Sequence, residues 1–132
     1  MTPPVWVLDD TVRALHEQLL AEFGGAAGVR DEGLLASALA RPRNRQAYAP
    51  ASLCQLAASY DFGLVRNHPF IDGNKRIGFA TAVLFLELNG RAFEADEVDA
   101  VLRTLALATG DLDEAGYAAW LDAKSIQRRS PP

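Results

Sequence analysis

NHPFIDGNKRIGFATAVLFLELNG, residues 67–90, carries both the sharpest break and the most apolar helical run of the chain. Pro69 disfavours helical geometry at the residue before it, so any helix arriving from upstream must stop by His68, which is pushed towards extended φ/ψ. Gly73 or Asn74 then opens a new helix that runs to Asn89-Gly90. Ile77, Phe79, Ala80, Val83, Leu84, Phe85, Leu86 and Leu88 cover most of its circumference, which places this helix at the centre of the fold. The run from Ile77 to Leu88 is shorter than the roughly 20 residues needed to span a bilayer, and it contains Glu87.

Helical spacing extends outward on both sides. Upstream, a first helix starts at Asp9 or Asp10, buries Val12, Leu15, Leu19, Leu20 and Phe23, and ends at Gly24-Gly25. Asp31 caps a short second helix bearing Leu34, Leu35, Ala38 and Leu39, with Pro42 just beyond its end. A third opens near Pro50 and carries Leu53, Leu56, Ala57, Tyr60 and Leu64 on one stripe. Downstream, RAFEA (91–95) reads as a short extended piece. Asp96 opens a fifth helix with Val98, Val101, Leu102 and Leu105 inward, and Asp111 with Glu114 stands at capping-box spacing before a last helix with Tyr117, Trp120 and Leu121. The tail SIQRRSPP reads as frayed. The expectation is an all-α bundle of about six helices around one buried helix: a single domain over 1–132, with loose ends at 1–8 and 128–132.

Composition narrows the function. The chain has 132 residues, 49% hydrophobic and 23% charged, enough for one core and no intrinsically disordered chain. Thirteen Lys and Arg against seventeen Asp and Glu give a net charge of −4, which argues against a general grip on nucleic acid or an anionic membrane. The lone Cys54 excludes an internal disulfide and a cysteine-based zinc site. MTPPVWVLDD has neither a basic n-region nor an apolar run, so no secretory signal is read there and a soluble, cytoplasmic protein is expected.

The chemistry is concentrated in the loop at 67–78. A helix N-terminus offers unpaired N–H groups and the positive end of the macrodipole. Gly73 lets backbone approach a ligand closely, and Lys75 and Arg76 add charge to the first turn. Cations there oppose the macrodipole and are poor choices for stability alone; an anionic ligand such as a chain of phosphates resolves the conflict. Asp72 is a candidate ligand for a Mg²⁺ bridging phosphates, and His68, across the loop, a candidate base for an attacking hydroxyl. Phe70 between them is the apolar pin.

Each residue also has a plain structural reading. Asp72 or Asn74 is a helix cap, His68 a loop histidine bonded to a carbonyl, and Lys75 and Arg76 a solvated face. Held jointly, these readings leave two cations unexplained against the macrodipole, so the chemical reading is preferred. Elsewhere the plain reading wins. His16, between Val12 and Leu19, is a satisfied core histidine; Cys54 packs rather than attacks; Trp6 and Trp120 cover the core. RPRNR (41–45) reads as a solvated connector, with a nucleotide phosphate or an acidic partner as the other possibility, and Arg128-Arg129 as tail charge.

HPFIDGNKR (68–76) resembles the signature of the Fic/Doc family, most closely its Doc (death-on-curing) toxin branch. The resemblance runs from LHEQLLAEFGG (15–25) through FATAVLFLELNG (79–90) to the last helix. It implies an all-helical Fic fold, with His68 as general base, Asp72 as metal ligand and Gly73, Asn74, Lys75 and Arg76 on phosphate. The AMP-transferring pattern, HPFxxGNGRxxR, has glycine where Lys75 stands and arginine where Phe79 stands. Both departures resemble the Doc branch, although Pro69 and Gly73 differ from Doc itself. The resemblance therefore implies a kinase using ATP and Mg²⁺ to phosphorylate an elongation factor Tu-like translation factor. AMP transfer to a protein hydroxyl is the first alternative, and a non-catalytic module that blocks translation the second. No Ser or Thr is followed by Glu four residues on, the mark of a self-inhibitory Fic helix, so restraint is expected from a Phd-like antitoxin whose tail needs an exposed apolar groove.

Overall fold

Ser52 and Gln55 close the first turn of the helix on which everything else is assembled. In the computed structural model, which describes residues 3–128, this helix is α3 (Leu53–Asn67). The Ser52 hydroxyl accepts from the Gln55 N–H (3.1 Å) and the Gln55 side chain accepts from the Ser52 N–H (2.8 Å), a reciprocal capping box. The start is therefore set by Ser52 rather than by Pro50. Leu56, Ala57, Ala58, Ser59, Tyr60, Asp61, Gly63 and Leu64 are all buried, so α3 is enclosed nearly all round.

The expectation that the next helix is the central one is corrected by this arrangement. α4 (Asn74–Leu88) packs along α3 but leaves Val83 and Leu84 half-buried and Leu88 exposed. Small residues decide the matter: Ala57, Ala58, Ser59 and Gly63 let neighbours approach α3 from several sides, whereas the bulkier α4 keeps one flank outward. The all-α expectation itself agrees with the structure, which has six helices and one two-stranded ribbon.

α1 (Asp9–Phe23) lies against α4 and buries Val12 and His16, with Leu15, Leu19 and Leu20 half-buried and Phe23 exposed, against expectation. α2 (Glu32–Tyr48) is capped by Asp31, whose carboxylate accepts from the Leu34 N–H (2.9 Å). It does not stop before Pro42 but runs through it. An interior proline costs about 3 kcal/mol or more in a helix. Two tertiary contacts offset that cost. Pro42 is itself buried, and at Gly63 the α3 backbone comes so close that an added Cβ would sit 3.3 Å from the Cα and carbonyl oxygen of Ala38. Arg41 pairs with Glu114 (2.6 Å) and donates to the Ser59 hydroxyl (2.9 Å), so RPRNR is part of a packed helix and not a connector.

The chain after α4 forms β1 (Arg91–Phe93), then α5 (Glu97–Thr109), α6 (Glu114–Ala123) and β2 (Ser125–Gln127). β2 pairs antiparallel with β1, Arg91 opposite Gln127 and Phe93 opposite Ser125, so the expected fraying does not apply to residues 125–127. Arg91 fastens the ribbon by donating to the hydroxyl and carbonyl oxygens of Ser125, both at 3.0 Å. The cap of α6 is Asp113, accepting from the Gly116 N–H (2.7 Å), and not Asp111, which accepts from the Thr109 hydroxyl.

α5 is turned the opposite way from its sequence reading. Val98, Val101, Leu102 and Leu105 are 64%, 53%, 59% and 43% exposed, while Thr104 and Leu107 are buried. The Trp120 indole N–H donates to Asp99 (2.9 Å) and fixes this rotation. At the other end, Val5 exchanges hydrogen bonds with the Asn89 side chain (2.7 and 2.9 Å), Val7 N–H donates to the Tyr60 hydroxyl and Trp6 stacks on Phe85. Residues 5–7 are thus tied down rather than loose. Residues 1–2 and 129–132, including Arg129, lie outside the described residues. Among the described residues no helix is long and apolar enough to cross a membrane.

Candidate functional site

α3 ends at His68, whose N–H still donates to Leu64 O (3.2 Å) but whose backbone is left-handed, at φ 52° and ψ 53°. The expectation of an extended residue before Pro69 is corrected. The reversal is held from both sides. Arg30 donates from Nε to His68 O (2.8 Å) and from its terminal nitrogen to Asn67 O (3.0 Å), meeting orphan carbonyls at the negative end of the helix. Pro69 O accepts the N–H groups of Arg30 and Asp31. With the main chain so fixed, the His68 side chain stays at the surface and lines a cavity of about 450 Å³.

Phe70 anchors the next stretch. It is almost fully buried, bridges Val29, and stacks on the His16 ring at 3.8 Å between centroids and 17° between planes. Asn74 clamps it: Phe70 N–H donates to Asn74 Oδ1 and Asn74 Nδ2 donates to Phe70 O, each at 3.0 Å. The Asn74 side chain is therefore buried and committed to the loop, and its main-chain N–H is what it can offer a phosphate. Ile71 N–H donates to Gly28 O (3.0 Å).

The turn at Asp72 and Gly73 faces the cavity. Asp72 Oδ1 accepts from the Gly73 N–H (2.8 Å), Oδ2 from the Ala26 N–H (3.3 Å), and its carbonyl oxygen lies 2.8 Å from His16 Nε2. The carboxylate approaches Gly25 so closely that a Cβ there would sit 2.9 Å from Oδ2. Gly73, at φ 78°, is the residue preceding α4, so neither Asp72 nor Asn74 acts as a helix cap. Ile77 N–H takes Gly73 O (2.9 Å), and the first-turn N–H groups of Asn74, Lys75 and Arg76 have no acceptor within the helix.

Lys75 and Arg76 are exposed, and among the described residues neither enters an ion pair. Arg76 lies 4.5 Å from the centre of the Phe23 ring, which accounts for the exposed aromatic at the end of α1. His68, Asp72, Gly73, Asn74, Lys75 and Arg76 all line the same cavity, whose far wall is Phe79 with Ala100, Val101, Thr104 and Leu105 of α5. One side is a helix N-terminus with cations; the other is mostly apolar, with Glu97 and Thr104 as its polar members. That pairing suits a ligand with an anionic chain and a flat or apolar end. Among the described residues no cluster of three or more His, Cys, Asp or Glu could hold a metal unaided. A lone Asp72 fits Mg²⁺ that arrives on phosphate oxygens.

Four contributors have no site signal in the sequence: Gly25 reads only as a helix end, Ala26 and Arg30 carry no motif, and the core histidine His16 does not reveal its partner. Cys54 lies beside Ser125 and Asp122, buried and apart from this cavity.

A protein-family model described as the Fic/DOC family matches residues 6–86. Toxin Doc of Mycolicibacterium smegmatis is 39% identical over 108 residues, covering 74% of this chain and 83% of its own length. Protein kinase doc of Escherichia phage P1 is 33% identical over 107 residues, covering 80% of this chain and 83% of its own length.

Proposed function

Because the chain belongs to the Fic/DOC family, in its Doc branch, we propose that it is the toxin of a toxin–antitoxin pair. It acts in the cytoplasm as a kinase, moving a phosphate from ATP to a hydroxyl of an elongation factor Tu-like translation factor. The observation that carries this reading is the convergence of His68, Asp72 and the free first-turn N–H groups of α4 on one cavity.

The polyphosphate lies at the N-terminus of α4, where Asn74, Lys75 and Arg76 offer N–H groups and two of them add positive charge. Asp72 would hold Mg²⁺, and the ion would supply charge neutralisation on the phosphates. The acceptor hydroxyl oxygen forms a bond to the terminal phosphorus while the bond from phosphorus to the ADP oxygen breaks. The hydroxyl proton passes to a ring nitrogen of His68. Phe79 supports phosphate rather than AMP transfer: it lies in the cavity wall and packs edge-on against Phe93 at 5.8 Å, so no guanidinium stands there to hold a terminal phosphate away from the acceptor. The exposed apolar face of α5, which continues the cavity wall, supports restraint by the apolar tail of a Phd-like antitoxin.

ATP labelled at the α- or at the γ-phosphate, incubated with the protein and a cell lysate, decides the reaction. Label from the γ position on a translation factor, and none from the α position, is expected. His68→Ala should lower that transfer by about 10²–10⁴-fold. Label from the α position alone would assign AMP transfer, and growth arrest without label from either would assign a blocking module.

A further inference from the structure

His16 has an unusual place for a histidine. α1 buries only Val12 and His16 completely, so this ring occupies the inward position that a leucine fills in most surface helices. Its 3% exposure would make an unpaired ring nitrogen costly, and Nε2 is satisfied by Asp72 O at 2.8 Å. The ring also stacks on Phe70. Gly73 lies directly over it, since a Cβ there would be 3.6 Å from Nε2.

We propose that His16 is a positioning residue for the site, locking the peptide plane between Asp72 and Gly73. That plane is rigid, so its carbonyl and its N–H turn together. His16 donates to the carbonyl end, and the Asp72 carboxylate accepts from the N–H end at 2.8 Å. With both ends held, the plane cannot flip. Without His16, one restraint is gone at a position where glycine tolerates either sign of φ, so the flipped conformer becomes accessible. A flip withdraws the Gly73 N–H from Asp72, releases the carboxylate from its present direction, and turns the Gly73 residue that precedes α4. The inference concerns the loop itself; its consequence for nucleotide rests on the function proposed above.

Two variants separate positioning from packing. His16→Leu keeps an apolar group against Phe70 and removes the donor, whereas His16→Gln keeps a donor of similar reach. Amide hydrogen exchange of the ligand-free protein reads the loop directly. In His16→Leu, exchange at Ile71 and Gly73 is expected to rise roughly tenfold or more, the scale of one lost buried hydrogen bond, with Leu56 and Leu121 unchanged. Affinity for the β,γ-imido analogue of ATP with Mg²⁺ is expected to fall by about the same factor. His16→Gln should recover most of both. Unchanged exchange at Gly73 in His16→Leu, or a Gln variant as disturbed as the Leu variant, overturns the proposal. Failure of the wild-type protein to bind the analogue would instead count against the kinase reading, and the exchange arm would still decide the role of His16.

Discussion

A left-handed backbone at a residue other than glycine costs about 1–2 kcal/mol, and such strain tends to persist where function needs the geometry. His68, at φ 52°, is the one described non-glycine residue with positive φ, and it is the proposed base. The strain is over-determined by Arg30 below the helix end and by the main-chain bonds to Pro69 O. His68→Gly should therefore lower transfer as far as His68→Ala does, by about 10²–10⁴-fold, yet leave the thermal midpoint at or above that of wild type, whereas His68→Ala retains the strain. A lower midpoint for the glycine variant in a thermal melt would contradict this. At this scale the loop was legible because His68, Asp72, Gly73, Lys75 and Arg76 follow one another closely in the chain. The commitment of the Asn74 side chain to Phe70 was not, since an amide followed by cations at a helix start reads equally well as a ligand group.

Among the elements, α2 and α5 depart furthest from their sequence reading, for related reasons. Pro42 is a stop signal in local terms, but burial of its ring and the close approach of Ala38 to Gly63 hold the helix through it. α5 carries a wide apolar stripe, and local periodicity says only that it should be covered, not by what. The anchoring of Asp99 by Trp120 turns Thr104 and Leu107 inward and leaves the stripe outside. Two truncations measure this orientation. Leu107→Ala should cost about 2–5 kcal/mol of stability, as emptied core sites do. Leu102→Ala should stay within about 0.5 kcal/mol. Urea denaturation of both variants checks the contrast, and equal losses would mean that the stripe is buried after all.

On the scale of the whole molecule, the interior holds a polar group that no single element explains. Asp61 of α3, Thr81 of α4 and Tyr117 of α6 are buried, and their side-chain oxygens lack well-formed hydrogen bonds. The Asp61 carboxyl presses against α4 where Gly78 leaves room; a Cβ on Gly78 would collide with it. Burial pushes Asp61 up from 3.8 to about 7, with the nearby Tyr117 hydroxyl opposing part of that shift, and burial followed by the charge of Asp61 pushes Tyr117 up as well. The folded state thus holds the Asp61 proton more tightly than the unfolded chain does. The associated stability is fully present below the unfolded value of 3.8 and is lost as pH rises through about 7. The slope between those limits is roughly 1.4 kcal/mol per pH unit at most. Asp61→Asn should remove this dependence: its thermal midpoint should match wild type near pH 4 and exceed it at pH 8. A wild-type midpoint that rises between those two conditions would refute the assignment.

The chain by itself determined the all-helical class, the break before Pro69, the order of the site residues along the loop, and the identity of the pin at Phe70. These depend on spacing, on caps and on backbone restrictions that act within a few residues. Only the tertiary structure decided which helix is enclosed, which face of α5 is wet, and that His16, Arg30 and Ala26 brace a loop more than thirty residues away. Those outcomes depend on which surfaces can approach one another, and close approach is set by small residues such as Gly63 and Gly78 whose effect appears only when their partners are in place.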